Sequence, residues 1–176
     1  KKYAATTASN NTAVGLEAGS ELTTGDNTVA IGRFAVQNCT TGSGNVGLGL
    51  NSLRNTTTGS NNVAVGTQAA ENNTTASNNT SVGYQSLTAN TTGTVNTAVG
   101  GSSLASNTTA SNNVAVGYQA LANNTTGGSN CAVGRLALGS NQTASNNTAM
   151  GHNALYLNTT GTQNTAMGSL ALDNFF

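Results

Sequence analysis

The sequence predicts an all-β fold: a single-chain β-solenoid, or β-roll, of ten coils of 17 residues. Three observations predict it. Glycine recurs at Gly15, Gly32, Gly49, Gly66, Gly83, Gly100, Gly117, Gly134, Gly151 and Gly168, every 17 residues and without an insertion or deletion. The residues around that glycine fall into columns of constant size. The rest is rich in turn formers, with 28 Asn, 30 Thr and 22 Gly among 176 residues and no Pro. A low-charge chain of this composition is either disordered or built from repeats, and a disordered chain has no reason to keep register. Helix-pair repeats need periods of roughly 33 to 47 residues, so a period of 17 fits one solenoid coil instead.

Each element follows from its column. The position before the glycine is always aliphatic or Met: Val14, Ile31, Leu48, Val65, Val82, Val99, Val116, Val133, Met150 and Met167. This apolar stripe is the expected core. The side chain two before the glycine is tiny, as in Ala13, Gly47 or Ser81, and the residue four before it is Asn in all units but that of Thr28. Asn62-Val63-Ala64-Val65 therefore alternates as a short strand should, and Gly66 ends it with the backbone freedom a turn requires. Three after the glycine stands Ala or Ser and four after it mostly Leu, so the stretch around Ala120-Leu121 is expected to be a second strand. Thr-Thr-Gly or Thr-Thr-Ala completes most units as a polar turn. Coils stacked at the ~4.8 Å strand spacing make a rod roughly 45 to 50 Å long, with equivalent side chains aligned and the Asn columns placed to form amide ladders. Residues 1–5 read as a lead-in or cap, 6–172 as the solenoid, and 173–176 as a cap or subunit contact carrying Phe175 and Phe176.

Composition narrows the functions. Five basic and five acidic residues give a formal net charge of 0, which offers no electrostatic footprint for nucleic acid or an anionic membrane. No apolar run approaches the ~20 residues of a membrane span, so no membrane insertion is expected of this segment. No catalytic, cofactor or metal residues are expected either. Gly42-Ser43-Gly44-Asn45-Val46-Gly47 fits a dinucleotide-type glycine string but lacks the flanking strand–helix unit and the downstream acid. His152, the single His, has no nucleophile or orienting partner in the sequence. Glu17, Glu21 and Asp26 could form one weak local cation site, without the recurring Asp of calcium-binding rolls. Cys39 and Cys131 stand more than five coils apart, ~26 Å by strand spacing. That is beyond the ~7 Å Cα separation of a disulfide. Cys39 is expected as an exposed turn thiol and Cys131 as a buried small residue.

Asn55, Asn73, Asn90, Asn107, Asn124 and Asn158 each begin an Asn-x-Thr sequence. In a secreted chain they would form a row of glycan acceptors; the alternative is that Asn-Thr-Thr-Gly is simply favourable turn chemistry. The Thr-Thr column also raises ice binding, since regular threonine rows are what ice-binding solenoids display. Neighbouring residues of a strand point to opposite sides, so each pair supplies a single outward row.

Asn27-Thr28-Val29-Ala30-Ile31-Gly32-Arg33-Phe34-Ala35 resembles the head repeats of trimeric autotransporter adhesins, as do Asn61–Ala69 and Asn112–Ala120. The same phrase with Asn-Thr-Thr-Gly turns is similar to repeats of phage tail fibres. The period is longer than the adhesins' usual one. The resemblance implies a left-handed β-roll, three chains packed side by side, and aliphatic positions facing inward. Function is then expected to be a non-enzymatic structural or adhesive rod of an extracellular, cell-surface or virion fibre. Its partners would be copies of itself, in a homotrimer or head-to-tail filament, and a host-surface protein or glycan. Arg33, Tyr84, Tyr118, Arg135 and His152 are the candidate ligand contacts, because they vary outward of the turn and are frequent contact anchors. An ice-binding solenoid is the alternative.

Overall fold

The computed structural model describes residues 7–173. Ten three-residue strands form one sheet in sequence order: β1 (Thr12–Val14), β2 (Val29–Ile31), β3 (Val46–Leu48), β4 (Val63–Val65), β5 (Thr80–Val82), β6 (Thr97–Val99), β7 (Val114–Val116), β8 (Cys131–Val133), β9 (Thr148–Met150) and β10 (Thr165–Met167). Every neighbouring pair is parallel, with each residue opposite its equivalent 17 positions on, as in Val65 opposite Val82. The chain is a β-solenoid of about nine turns, with no helix among the described residues.

The repeat glycine is required twice over. Its φ lies near +130°, for example +131° at Gly100, where L side chains are strained. A Cβ there would also stand 2.5 Å from the carbonyl oxygen of Gly117 in the next coil. Stacking thus brings backbone against backbone at every turn, and the glycine column is the consequence.

The second wall is not a strand. Gln119 and Leu121 take φ of 55° and 51°, and the equivalent positions of the other coils do the same. The wall is still laddered: Gln119 N–H donates to Gly101 of the coil before, and Leu121 N–H to Ala137 of the coil after, both at 3.0 Å. Alternation of left-handed with ordinary backbone bends this stretch round the coil while keeping its amides paired to neighbours.

The core also departs from the expected stripe. The buried strand residue is the middle one: Ala30, Ala64, Ala98, Ala115, Ala132 and Ala149 are fully buried. They face the small residues Ala35, Ala69, Ala120, Ala137 and Ala154 and the column Leu53, Leu87, Leu104, Leu121, Leu138 and Leu155. Val14, Ile31, Leu48, Val65, Val82, Val99, Val116, Val133, Met150 and Met167 point out of the coil instead. Width decides this. The two walls approach so closely that Ser81 Oγ lies 2.7 Å from Ser86 Oγ, and a Cβ on Gly47 would meet Val36 at 2.7 Å. Only Ala, Ser or Gly fits between them, and the larger aliphatics go outside.

Two Asn columns fill the rest of the interior. In one, Asn79 Oδ1 accepts the backbone N–H of Asn96 at 2.8 Å, while its Nδ2 donates to the carbonyl of Gly93, also 2.8 Å. The same pair of bonds runs from Asn45 through Asn147. In the other, Nδ2 of Asn90, Asn107, Asn124, Asn141 and Asn158 donates to Oδ1 of the Asn one coil before. Buried amides are tolerable only when paired, and each is paired along the rod axis, which fixes register.

Candidate functional site

The outward sheet face is the largest feature the fold presents. It consists of two columns. One is the aliphatic stripe; the other is Thr12, Val29, Val46, Val63, Thr80, Thr97, Val114, Cys131, Thr148 and Thr165. No charged residue, Asn or Gln occurs in either. Exposure in the stripe ranges up to 58% at Val14 and 68% at Met167, with Ile31, Val116 and Met150 also exposed. At the ~4.8 Å spacing, nine steps make the aliphatic column about 43 Å long, flanked by the mixed Thr and Val column. The largest apolar patch of a soluble monomer is often functional, and this one is continuous along the whole rod.

Arg33, Tyr84, Tyr118, Arg135 and His152 all fall in the column just after the glycine, on the corner beside this strip. All are exposed. Arg33 is remote from the others and stacks on Phe34, 4.5 Å from the ring centroid, with Arg54 on the same ring at 5.0 Å. Tyr84, Tyr118, Arg135 and His152 lie within four coil steps, and Arg135 Nη1 is 3.0 Å from His152 Nε2.

The Asn-x-Thr residues are not a glycan row. Asn73, Asn90, Asn107 and Asn124 are fully buried and Asn158 is 8% exposed. Their Nδ2 atoms, which a glycan would have to join, are spent in the amide ladder or, at Asn73, on the Ala76 carbonyl. Asn55 lies one position earlier in its coil, half-buried, and its Nδ2 donates to Asn72 Oδ1 at 2.9 Å. The sequence signal was available: Asn repeats there in six consecutive coils from Asn73 to Asn158, whereas outward positions vary.

The cysteines exchange their expected places. Cys39 sits in that same interior column and is fully buried, its Sγ near the Gly42 carbonyl and Asn45 Nδ2. Burial raises its thiol pKa above 9.0, against the lowering effect of those two contacts. Cys131 is half-buried on the outward face.

The first Thr of the Thr-Thr pairs from Thr23 to Thr125 bonds along the rod: Thr91 Oγ1, for example, donates to Thr108 O at 3.0 Å. The second Thr is exposed in nine coils, from Thr24 to Thr160. Gly42 and Gly47 of the glycine string are buried within the stack rather than gathered in a phosphate loop. Among the described residues no three His, Cys, Asp or Glu side chains gather as a metal site. Asp26 accepts both the N–H and the hydroxyl of Ser9, and Glu17 accepts from Gln37. Among the described residues no helix is long and apolar enough to cross a membrane.

No family model, curated protein or solved structure matches the chain.

Proposed function

We propose that this chain is a non-enzymatic structural rod of an extracellular, cell-surface or virion fibre, and that copies of it pack side by side, as a homotrimer, through the outward sheet face. The observation that carries this reading is the uncharged aliphatic strip running over all ten strands, which water leaves unsatisfied and a second copy covers. Identical coil spacing gives two copies the same ~4.8 Å corrugation, so they interlock in register without adjustment. A closed three-fold ring hides all the strips at once. The likeness of Asn27–Ala35 to autotransporter head repeats points the same way. Adhesion follows from multivalency: a rod repeats each outward contact along its length and gains avidity from it.

Sedimentation of the purified chain tests this, together with oxidation by copper–phenanthroline in air. A trimer is expected, and dissolved oxygen should join Cys131 of two chains as a disulfide while Cys39 stays reduced. A chain that sediments as a monomer at tens of micromolar would sink the proposal.

The exposed Thr row from Thr24 to Thr160 favours a second reading, ice binding, because it repeats without a gap. Thermal hysteresis measured on the folded chain decides it.

A further inference from the structure

The corner column sets two chemically different side chains, Tyr118 and Arg135, on successive coils. The ring of Tyr118 leans toward the preceding coil, lying over Gly101, where a Cβ would stand 3.4 Å from Cδ2 and 3.7 Å from Cε2. Arg135 leans toward the following coil and meets His152 at 3.0 Å. Tyr118 and Arg135 are thus each in contact with their outer neighbour in the column, and the gap between them has as its floor the backbone of Gly117 and Gly134, which carries no side chain.

Charge at this gap is unbalanced. Between Glu71 and Arg135 the sequence has no charged residue, and the next acid after Arg135 is Asp173. Glu71 belongs to the coil four steps before and Asp173 to the coil two steps after, so both lie at least ~10 Å away along the axis. The Arg135 guanidinium is thus an exposed cation: Nη1 meets His152, and the Nε–Nη2 edge is left to take a carboxylate with two parallel hydrogen bonds. Tyr118, 52% exposed, offers a flat ring one step away, with its hydroxyl at the wet end.

We infer that this gap binds a carboxylated saccharide, with the Tyr118 ring stacked on the sugar's apolar C–H face and Arg135 paired to the sugar carboxylate. His152 holds the guanidinium from its far side and is a positioning residue. Tyr84, two coils before Tyr118 and 58% exposed, extends the strip for a further sugar unit. The inference rests on the adhesive part of the proposed function and supplies its ligand class. Each gap is one weak contact; side-by-side copies multiply it.

The test is titration of the full chain, by ligand-detected NMR and calorimetry, with 3′-sialyllactose, a hyaluronan tetrasaccharide, and neutral lactose. Sialic and uronic acids are the two natural sources of the carboxylate, and the first two probes separate them. Binding of at least one carboxylated probe with a Kd near a millimolar or tighter is expected, with lactose at least tenfold weaker. Arg135→Gln should weaken the carboxylated probe about tenfold and leave lactose unchanged. Tyr118→Ala should weaken the carboxylated probe and Tyr118→Phe should not. Arg33→Gln, in the same column but stacked on Phe34, should bind as the parent does. Circular dichroism confirms that each exposed variant is folded. Failure of both carboxylated probes to bind at 10 mM overturns the inference, and so does an Arg33→Gln loss equal to that of Arg135→Gln. Sedimentation of the same samples keeps the outcomes apart, since saccharide binding by a monomer would sink the proposed assembly but not this site.

Discussion

Replacing Asn107 by Ala cuts the inner amide ladder at its middle. In the parent, Asn107 Nδ2 donates to Asn90 Oδ1 at 2.9 Å and to the Ala110 carbonyl at 3.0 Å, and Oδ1 accepts from Asn124 Nδ2 at 3.0 Å. The Ala110 carbonyl keeps a second donor, Asn96 Nδ2 at 2.9 Å, and Asn124 still donates to Gly127 at 2.9 Å. The loss therefore falls on Asn90 Oδ1, left as a buried acceptor without a partner, and on one hydrogen of Asn124. An orphaned buried polar group destabilises by about 1–3 kcal/mol, and the vacated volume adds to it, so about 2–4 kcal/mol is expected. Stacked arrays open coil by coil, so the assay is amide hydrogen exchange at Thr108 and Asn124, which should quicken by roughly 30- to 1000-fold. Asn107→Asp sharpens the test. Its carboxylate would face Asn90 Oδ1 and the Ala110 carbonyl, so the folded state favours the protonated acid and raises its pKa above the unfolded ~3.9. Stability is then best below about pH 4 and falls as pH rises toward 7. An Asn107→Ala chain whose exchange changes less than threefold would refute the ladder as a source of stability.

Three further outcomes follow from the same geometry. Gly100→Ala places a Cβ 2.5 Å from the Gly117 carbonyl oxygen at φ +131°, which should destabilise by about 3 kcal/mol or more and lower Tm by roughly 6–12 °C. Its neighbour Gly101→Ala meets only the Tyr118 ring at 3.4 Å and should melt within a degree or two of the parent, as thermal scans would show. Thiol titration with a disulfide reagent should modify Cys131 before Cys39, which should react only on unfolding. Because burial raises the Cys39 thiol pKa above 9.0, the folded state holds that proton longer than the unfolded chain does, so stability is full below about pH 9 and declines above it. Val99→Lys puts a charge at the centre of the outward strip and should turn the proposed trimer into monomers in sedimentation with an unchanged circular dichroism spectrum.

Much of the fold is legible in the glycine column. A 17-residue period without slips places each coil over the last, and Gly100 or Gly117 can be recognised as turn positions before any coordinates are known. The exact pairing of Val65 with Val82 follows from the same arithmetic. Polar columns that repeat without variation, such as Asn73 to Asn158, also signal an interior role, because only an aligned partner makes a buried amide tolerable.

Which side of the strand faces in was decided by the closing of the coil. Hydrophobicity alone assigns Val65, Val82 and Val99 to the core, yet Ala64, Ser81 and Ala98 occupy it. A three-residue strand has too few alternations to reveal its inner face, and the space between the walls is a property of the whole turn, seen in the 2.7 Å contact of Ser81 with Ser86. The same closure put Cys39 inside and Cys131 outside, whereas the shared column of Tyr84, Tyr118, Arg135 and His152 already follows from their spacing by multiples of 17. Sequence determined the register along the axis, because a constant 17 residues per turn places each residue over its equivalent one coil on. Direction across the axis belonged to the tertiary structure, because it depends on how closely two backbones approach.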